Sequence, residues 1–318
     1  MTPLLEIRSL SVDYGYGAVI RDLSITVSAG EIVGLVGESG CGKTTLGWSV
    51  LGLLPRSARV DGSILFDGTE LIGLQARKRR KLLGVRLSLI PQAAMASLDP
   101  MFTVGHQIRE IILTHQRGGR AGADARTVGR LREVGVAAPE ARLRAFPHEL
   151  SGGTRQRVAT AAAMILNPSM LIADEPTSSL DVTIQAQVLG VLRSVILEHG
   201  TAVMFITHDL GVVAQISDRI AVMYAGEIVE EASAQELFED PKHPYTKKLL
   251  AAHPGFSNKG QRLATIPGSV PDPAQRPGGC SFEPRCPVAI PLCQEDRPPW
   301  VAVESDRHVR CVHCAPNH

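Results

Sequence analysis

Net charge, aromatic residues and long apolar runs are all scarce in this chain, and these scarcities narrow its possible functions. The formal net charge is only +1, which disfavours nucleic acid as a partner, because nucleic-acid-binding domains usually carry a strongly basic face. No apolar run reaches the roughly 18 uncharged residues that a membrane-spanning helix needs. The first residues, Met1 to Glu6, lack the basic flank and cleavage site of a secretory signal. We therefore expect the chain to stay in the cytoplasm.

Cysteine is also scarce, except near the C-terminus. Cys41 stands alone, and the other cysteines lie within the last forty residues: Cys280, Cys286, Cys293, Cys311 and Cys314. In a cytosolic protein such clustering indicates a metal site before disulfides. The remaining composition, 44% hydrophobic and 4% aromatic over 318 residues, suits an Ala-, Leu- and Val-rich α/β protein with room for two domains.

A glycine-rich run at residues 37–44 is the first motif with clear chemistry. It reads Gly-Glu-Ser-Gly-Cys-Gly-Lys-Thr and has the G-x-x-x-x-G-K-[ST] spacing of a phosphate-binding loop. In such a loop the backbone N–H groups surround phosphate, the lysine reaches the β- and γ-phosphates, and the threonine hydroxyl binds Mg²⁺. Residues 31–36 predict a buried strand before the loop, and residues 44–54 predict a helix whose N-terminus favours an anion.

The rest of the chain predicts an α/β order. Short alternating runs at residues 4–36 predict a β-rich lobe, and the spacing of apolar residues over about 104–166 predicts helices. Strand-like apolar runs then return, separated by a helical stretch, at residues 170–173, 202–207 and 220–224. Alternating strands and helices indicate a parallel sheet. After about residue 236 prolines accumulate and periodicity fades, which indicates a C-terminal extension.

Several short motifs accompany the phosphate loop, and together they resemble the ATP-binding subunits of ABC transporters. They follow residues 37–44 in that family's order: Gln92, Ser151-Gly152-Gly153-Thr154, Asp174-Glu175, Ser179-Leu180-Asp181 and His208. Taken singly these are weak signals, because Ser-Gly-Gly is usually a flexible turn and Asp-Glu a solvated strand end. Their joint order over about residues 4–235 carries the resemblance.

The resemblance implies an α/β fold with a P-loop (RecA-like) ABC ATPase core. An antiparallel β lobe, an inserted helical subdomain and a Pro/Cys-rich C-terminal extension complete the expected architecture. We expect the core and lobe at residues 1–95 and 167–235, the helical signature subdomain at 96–166, and the extension with its cysteine motif at 236–318.

The resemblance also implies catalytic roles. Hydrolysis of ATP depends mostly on positioning and on neutralising charge at the γ-phosphate. Lys43 is expected to supply that charge, Glu175 to act as general base, and His208 to hold the γ-phosphate. Gln92 is expected to contact Mg²⁺ and the attacking water, and to report movement at the transporter interface.

Nucleotide and Mg²⁺ contacts are implied for a larger set of residues. Thr44 and Asp174, with Gln92, are expected to hold Mg²⁺. Tyr14 is expected to stack on adenine, with Tyr16 as the rival candidate. The full set of expected nucleotide contacts is Tyr14, Gly37, Glu38, Ser39, Gly40, Cys41, Gly42, Lys43, Thr44, Thr45, Gln92 and Asp174.

The signature residues 151–154 imply a dimer. Ser151, Gly152 and Gly153 open a helix whose N–H groups would bind the γ-phosphate held by another subunit's phosphate loop. Catalysis would then need two subunits arranged head to tail, with Asp181 communicating across their interface. Thr154 departs from the family, which usually has glutamine there; we interpret the change as neutral, with weakened activity at one of two sites as the alternative.

The C-terminal extension resembles that of ABC importers of oligopeptides, dipeptides and nickel. The resemblance rests on His243-Pro244-Tyr245-Thr246 and on the segment from Gly279 to Pro287. Cys280, Cys286, Cys293 and Cys311 are separated by five, six and seventeen residues, and four sulfurs suit a [4Fe–4S] cluster or Zn²⁺. The spacing leaves the metal open; the resemblance favours iron–sulfur. Cys314 could replace Cys311, and four free thiols are the alternative to any metal.

These observations together predict an ATP-hydrolysing subunit that powers import of peptides through a membrane permease. Its expected partners are a second ABC ATPase subunit, two transmembrane permease subunits and, indirectly, an extracellular substrate-binding protein. Its expected location is the cytoplasmic face of the membrane. Import of nickel or another small solute is the alternative, and a soluble ABC ATPase of DNA repair or translation is disfavoured by the near-neutral charge and by the C-terminal extension.

Overall fold

A computed structural model describes residues 2–92, 97–116, 119–178, 180–253, 255, 265–304 and 306–315. Its strands are β1 (Leu5–Asp13), β2 (Ala18–Val27), β3 (Ile32–Val36), β4 (Arg59–Phe66), β5 (Thr69–Glu70), β6 (Leu87–Ile90), β7 (Met170–Asp174), β8 (Ala202–Thr207), β9 (Arg219–Tyr224), β10 (Glu227–Ser233), β11 (Val301–Glu304) and β12 (Arg307–Val309). Its α-helices are α1 (Lys43–Leu51), α2 (Ala76–Leu82), α3 (Val104–His115), α4 (Arg120–Glu133), α5 (Pro139–Arg142), α6 (Gly152–Met164), α7 (Val182–His199), α8 (Leu210–Ile216), α9 (Ala234–Glu239), α10 (Pro244–Ala251) and α11 (Leu292–Glu295).

The chain forms two units. The first unit holds Met1–Val27, Ile32–Ile72 and Ile206–His318, and the second holds Ser28–Glu31 and Gly73–Phe205. The described residues of the C-terminal extension thus lie in the first unit. The domain boundaries expected from the sequence stay a prediction.

The β lobe of the first unit is a four-stranded antiparallel sheet with strand order β2-β1-β4-β5. Leu5 pairs with Val27 on one side and with Phe66 on the other. Apolar residues alternate with polar ones along β1, and Leu5, Ile7, Leu10 and Val12 are buried. This alternation buries one face of the lobe, as the sequence predicts for residues 4–36.

A second sheet region of the first unit joins the C-terminal extension to the core. Its strand order is β11-β12-β10-β9-β3. β3 and β9 are parallel, and every residue of β3 is buried, as expected of a parallel strand covered on both faces. β12 pairs with β10 through Glu230 and Val309. The extension therefore continues the sheet whose buried strand β3 leads into the phosphate loop.

The second unit combines parallel strands with helices. β6 and β7 are parallel, with β7 between β6 and β8. Helices α3 to α6 occupy the stretch from Val104 to Met164, as the apolar spacing predicts. The fold-class prediction is thus confirmed by the mixture of one antiparallel sheet with parallel strand pairs. Across the described residues, no helix is both long and apolar enough to cross a bilayer.

An aromatic cluster fastens the extension within the first unit. The ring of Phe282 meets that of Tyr224 edge-on at 5.2 Å between centroids and that of Tyr245 at 5.3 Å. Tyr224 and Tyr245 are themselves 4.7 Å apart, and all three side chains are buried. Edge-to-face pairs of this kind add about 0.5–1.5 kcal/mol each beyond area burial.

Removal of this ring should loosen the extension. Phe282→Ala is expected to lower the free energy of unfolding by about 3–5 kcal/mol, because it leaves a cavity among packed rings. Phe282→Leu should have a smaller effect. Urea unfolding of the full chain measures both, with Val288→Ala at a half-exposed position of the same extension as control. Equal stability of Phe282→Ala and the control would contradict this account of the cluster.

Candidate functional site

The phosphate loop lies in the first unit between β3 and α1. Helix α1 begins at Lys43 after Gly42, whose φ is 108°, and no side chain caps its N-terminus. The first N–H groups of a helix lack intrahelical acceptors and carry a partial positive charge. This end of α1 can therefore bind an anion through its backbone.

Gly37 is required by a close approach of two backbone segments. A Cβ at Gly37 would lie 2.1 Å from the carbonyl oxygen of Met223, in β9. Real side chains do not tolerate such a distance, so no other residue fits without a shift of the loop or of β9. The first glycine of the motif thus fixes the loop against the neighbouring parallel strand.

Lys43 closes the loop from inside. Its Nζ donates hydrogen bonds to the carbonyl oxygens of Gly37, at 2.8 Å, and Glu38, at 2.9 Å. The side chain is buried, so its positive charge is concentrated within the loop. Cys41 is buried beside it, and burial raises the pKa of its thiol. The Lys43 ammonium thus lies beside a neutral thiol within the loop.

Tyr14 lies near the start of α1. Its hydroxyl donates to Oγ1 of Thr45 at 3.3 Å. The rings of Tyr14 and Tyr16 stack with centroids 6.0 Å apart, and Tyr16 is 58% exposed. Of the two candidates for the adenine contact, Tyr14 is the one tied to the phosphate-loop helix.

The second unit holds the two carboxylates that the sequence predicts for catalysis and Mg²⁺ binding, Asp174 and Glu175. Asp174 ends β7 and is buried, and Glu175 follows with φ of 45°. A left-handed conformation is uncommon for a glutamate and is strained unless its surroundings impose it. Nε2 of Gln92 donates to Oε2 of Glu175 at 3.0 Å. The structure thus brings together two residues that the sequence separates by 83 positions.

The signature residues begin helix α6 in the same unit. Oγ of Ser151 accepts the backbone N–H of Thr154 at 3.3 Å and lies 2.8 Å from Oγ1 of Thr154. A Cβ at Gly153 would lie 2.7 Å from Cγ2 of Ile184. Asp181 caps α7 by accepting the N–H of Ile184 at 3.0 Å. Thr154 is therefore a hydrogen-bonding neighbour of the signature serine.

The remaining predicted residues of the nucleotide site are placed as follows. His208 follows β8 with an exposed side chain and belongs to the first unit, like the phosphate loop. Gln92, Asp174, Glu175, Asp181 and residues 151–154 belong to the second unit. Ser179, which precedes Leu180 and Asp181 in the resemblance, lies outside the described residues.

Four cysteines of the extension line one small cavity. They are the predicted set, Cys280, Cys286, Cys293 and Cys311, and Cys314 is not among the lining residues. None of the six cysteines, all of which the structure describes, forms a disulfide. Within the part of the chain that the structure describes, no group of three or more Cys, His, Asp or Glu residues has the arrangement that holds a metal ion. The cavity thus gathers the four cysteines that the sequence predicts as a set.

Burial controls the ionisation of the groups around this cavity. It raises the pKa of Cys280 to about 11 and lowers the pKa of His243 to about 3. His243 is therefore neutral, and its Nδ1 accepts the N–H of Tyr245 at 3.0 Å, which caps helix α10.

Comparisons with known proteins agree with the motifs. The sequence profile of the family described as ABC transporter matches residues 20–178, and that of the oligopeptide/dipeptide transporter C-terminal region matches residues 229–293. The dipeptide transport ATP-binding protein DppD of Haemophilus influenzae is 43% identical, over 97% of this chain and 94% of that protein. The chain belongs to the ABC transporter family.

Other relatives of this ABC protein differ in length. The oligopeptide transport ATP-binding protein OppD of Mycobacterium tuberculosis is 45% identical over 98% of this chain, and the chain spans about half the length of that relative, 52%. Among solved structures, the dimeric structure of MJ0796, a bacterial ABC transporter cassette, is 24% identical with a TM-score of 0.65. The match covers 72% of this chain and 98% of that structure's chain, and it supports the fold of an ABC ATPase cassette. The family prediction is confirmed.

Sequence reasoning missed three residues that hold the phosphate loop of this ABC protein from the C-terminal side. Two of them contact Glu38 directly: Arg285 forms an ion pair with its carboxylate, and the Tyr245 hydroxyl accepts the Glu38 backbone N–H. The third, Tyr224, contacts Arg285. Arg285 is 247 positions away from Glu38, which no local pattern reveals. The one available signal was Glu38 itself, because an acidic side chain in an anion-binding loop needs a cationic partner.

The close approach at Gly37 gives a direct test of the loop. Gly37→Ala should weaken ATP binding more than about tenfold and lower stability by about 1–3 kcal/mol, because the added methyl group displaces the loop or β9. Titration with a fluorescent ATP analogue and thermal unfolding measure the two effects. Gly73→Ala is the control, since Gly73 also has a positive φ but open space around it. Undiminished ATP binding by Gly37→Ala would contradict the required close approach.

Proposed function

We propose that this chain is the ATP-hydrolysing subunit of an ABC importer of peptides. The observation that carries the proposal is the presence, in one chain, of the ABC region and of the oligopeptide/dipeptide transporter C-terminal region. Relatives similar along nearly the whole chain carry names of dipeptide and oligopeptide transport proteins. Import of nickel or another small solute by the same machinery is the alternative.

The proposed ATPase chemistry begins with the phosphate loop. The uncapped N-terminus of α1 binds the phosphates through backbone N–H groups, and Lys43 exchanges its carbonyl partners for phosphate oxygens. Ser39, Gly40, Cys41 and Gly42 supply further backbone to this cradle. Tyr14 stacks on adenine, and His208 holds the γ-phosphate.

Glu175 acts as general base in this proposal. Its carboxylate orients and deprotonates the attacking water, and the hydrogen bond from Gln92 holds that carboxylate in place. Mg²⁺ prefers oxygen donors, and Thr44, Asp174 and Gln92 are the residues that would hold it. When bound, Mg²⁺ neutralises charge on the phosphates.

The proposed active form is a dimer of ATPase subunits. Ser151, Gly152, Gly153 and Thr154 stand at the N-terminus of α6, which favours the γ-phosphate of a nucleotide held by the partner. Asp181 communicates across the interface. The hydrogen bond between Thr154 and Ser151 keeps the serine hydroxyl at this helix end, which supports a working signature despite the absent glutamine. A second, related ATPase is the proposed partner; a homodimer is the alternative.

Permease subunits are the other proposed partners. The segment from Gln92 to Phe102 is the proposed contact, although its residues 93–96 lie outside the described part of the chain. Met101 is 78% exposed and Phe102 is 46% exposed, and exposed apolar side chains next to each other favour a protein interface. The chain would sit on the cytoplasmic face of the membrane, with an extracellular substrate-binding protein delivering the cargo.

Uptake and assembly can be measured together in the native host. A strain carrying a tagged wild-type copy should take up radiolabelled di- and tripeptides, and its tagged chain should purify with two permeases and a second ATPase. Glu175→Gln should retain these partners but lower uptake and ATP hydrolysis by about 100-fold or more, since the general base is lost. Uptake of nickel instead of peptides would identify the protein as part of a nickel importer, which is the alternative. Purification without permeases would overturn it.

We also propose that Cys280, Cys286, Cys293 and Cys311 hold a [4Fe–4S] cluster. Support comes from their convergence on one cavity and from the soft sulfur ligands that four cysteines offer; the resemblance of the extension favours iron–sulfur over zinc. The cluster would cross-link segments of the extension. Zn²⁺ is the alternative, and the absence of Cys314 from the lining supports Cys311 as fourth ligand.

Metal content tests this ligand set. The full chain purified anaerobically should contain about four iron atoms and four acid-labile sulfides. Cys293→Ser should lose them, whereas Cys314→Ser, the matched control, should retain them. Stoichiometric zinc without iron would show that the cysteines bind Zn²⁺ instead of a cluster. Absence of both metals would show that they are four free thiols.

A further inference from the structure

The C-terminal extension is bonded directly to the phosphate loop through one arginine. Nη1 of Arg285 lies 2.6 Å from Oε2 of Glu38, and Nη2 lies 2.9 Å from Oε1. The exposed fraction is 5% for the Arg285 side chain and 28% for that of Glu38. Two parallel, short bonds between a guanidinium and a carboxylate form the strongest common type of side-chain ion pair.

Arg285 is held in position by the extension itself. Its Nε donates to the carbonyl oxygen of Pro267 at 2.8 Å, and its Nη2 to that of Ile266 at 3.3 Å. Its Nη1 also donates to the hydroxyl of Tyr224 at 3.3 Å, and the guanidinium lies over the Tyr224 ring, 5.7 Å from its centroid. A side chain so constrained loses little further entropy when it binds a carboxylate.

A second segment of the extension holds the backbone of the same loop residue. The N–H of Glu38 donates to the hydroxyl of Tyr245, the second residue of α10, at 3.0 Å. Tyr245 is fully buried and packs against Tyr224 and Phe282. The extension thus fixes both the main chain and the carboxylate of Glu38, the second residue of the phosphate loop.

Electrostatics gives these contacts a consequence for binding. A carboxylate in the loop that surrounds ATP repels the polyphosphate, because like charges repel strongly where water is scarce. Arg285 neutralises Glu38 and directs its carboxylate toward the extension. Removal of the guanidinium would leave that negative charge free in the loop, so the affinity for ATP should fall.

We infer that Arg285 is a positioning residue for nucleotide binding, through which the C-terminal extension sets the affinity of the phosphate loop for ATP. The inference rests on the proposed ATPase function. It assigns the extension a role at the nucleotide site that is independent of whether the cysteine cavity holds a metal. A purely structural attachment of the extension would instead affect stability and leave ATP affinity unchanged.

The test is a set of charge variants in the full chain, titrated with the fluorescent analogue methylanthraniloyl-ATP and Mg²⁺. Arg285→Gln should raise the Kd about tenfold. Glu38→Gln in that background should bring the Kd back to within about threefold of wild type, because the unpaired carboxylate is gone. In the assembled transporter, Arg285→Gln should raise KM for ATP by a similar factor with kcat changed less than about threefold.

Asp22→Asn is the matched control. Asp22 forms an ion pair with Arg297 of the extension at 2.6 Å, at a position outside the phosphate loop, and its φ of 44° suits asparagine. This variant should leave the Kd unchanged. If Arg285→Gln proves unstable, Arg285→Lys, which retains the charge but not the paired geometry, should give a smaller rise in Kd.

Three outcomes would overturn the inference: an unchanged Kd in Arg285→Gln, an equal rise in Asp22→Asn, or failure of Glu38→Gln to restore affinity. Failure of the wild-type chain to bind the analogue would contradict the proposed ATPase function instead. Metal content measured on the same preparations separates these effects from any change at the cysteines.

Discussion

The unsatisfied N-terminus of α1 is the constraint on which much of the first unit depends. A helix that starts without a side-chain cap leaves polar N–H groups directed into the loop before it, and only an anion or water can satisfy them. The loop must hold that open shape in the absence of its ligand. Gly37 abuts the carbonyl of Met223, and Lys43 bonds two carbonyl oxygens of the loop itself. Tyr245 and Arg285 then hold Glu38 from the side of the extension.

Local chemistry determined what could be predicted from the sequence. The glycine spacing of residues 37–44, the apolar run of β3 and the helical spacing over 104–166 each reflect contacts within a few residues, so they are readable without the fold. The pairing of β12 with β10 could not be predicted, because three residues, Arg307–Val309, are too few for a periodic signal. Glu38 and Arg285 are likewise linked only by the folded chain.

Within the candidate site, too, local features can be predicted from the sequence and contacts between distant residues cannot. That Asp181 caps α7 follows from its position before an apolar helical stretch, since Asp is a favoured N-cap residue. The hydrogen bond between Gln92 and Glu175 connects two separate parts of the second unit and needed the structure. The positive φ of Glu175 could not be predicted either, because glycine or asparagine usually marks such a position and a glutamate does not. Strain at the carboxylate proposed as general base is consistent with a geometry imposed for function.

The extension brings three features into a short stretch of chain. Cys280 and Cys286 line the cavity, Phe282 belongs to the aromatic cluster, and Arg285 reaches the phosphate loop. The stretch has little regular structure beyond the single turn Glu283–Arg285, so its conformation depends on these contacts. A bond at either cysteine would restrict the same backbone that positions Arg285, because Cys286 is the next residue. The cavity and the arginine that pairs with Glu38 of the phosphate loop therefore depend on the same short stretch of backbone.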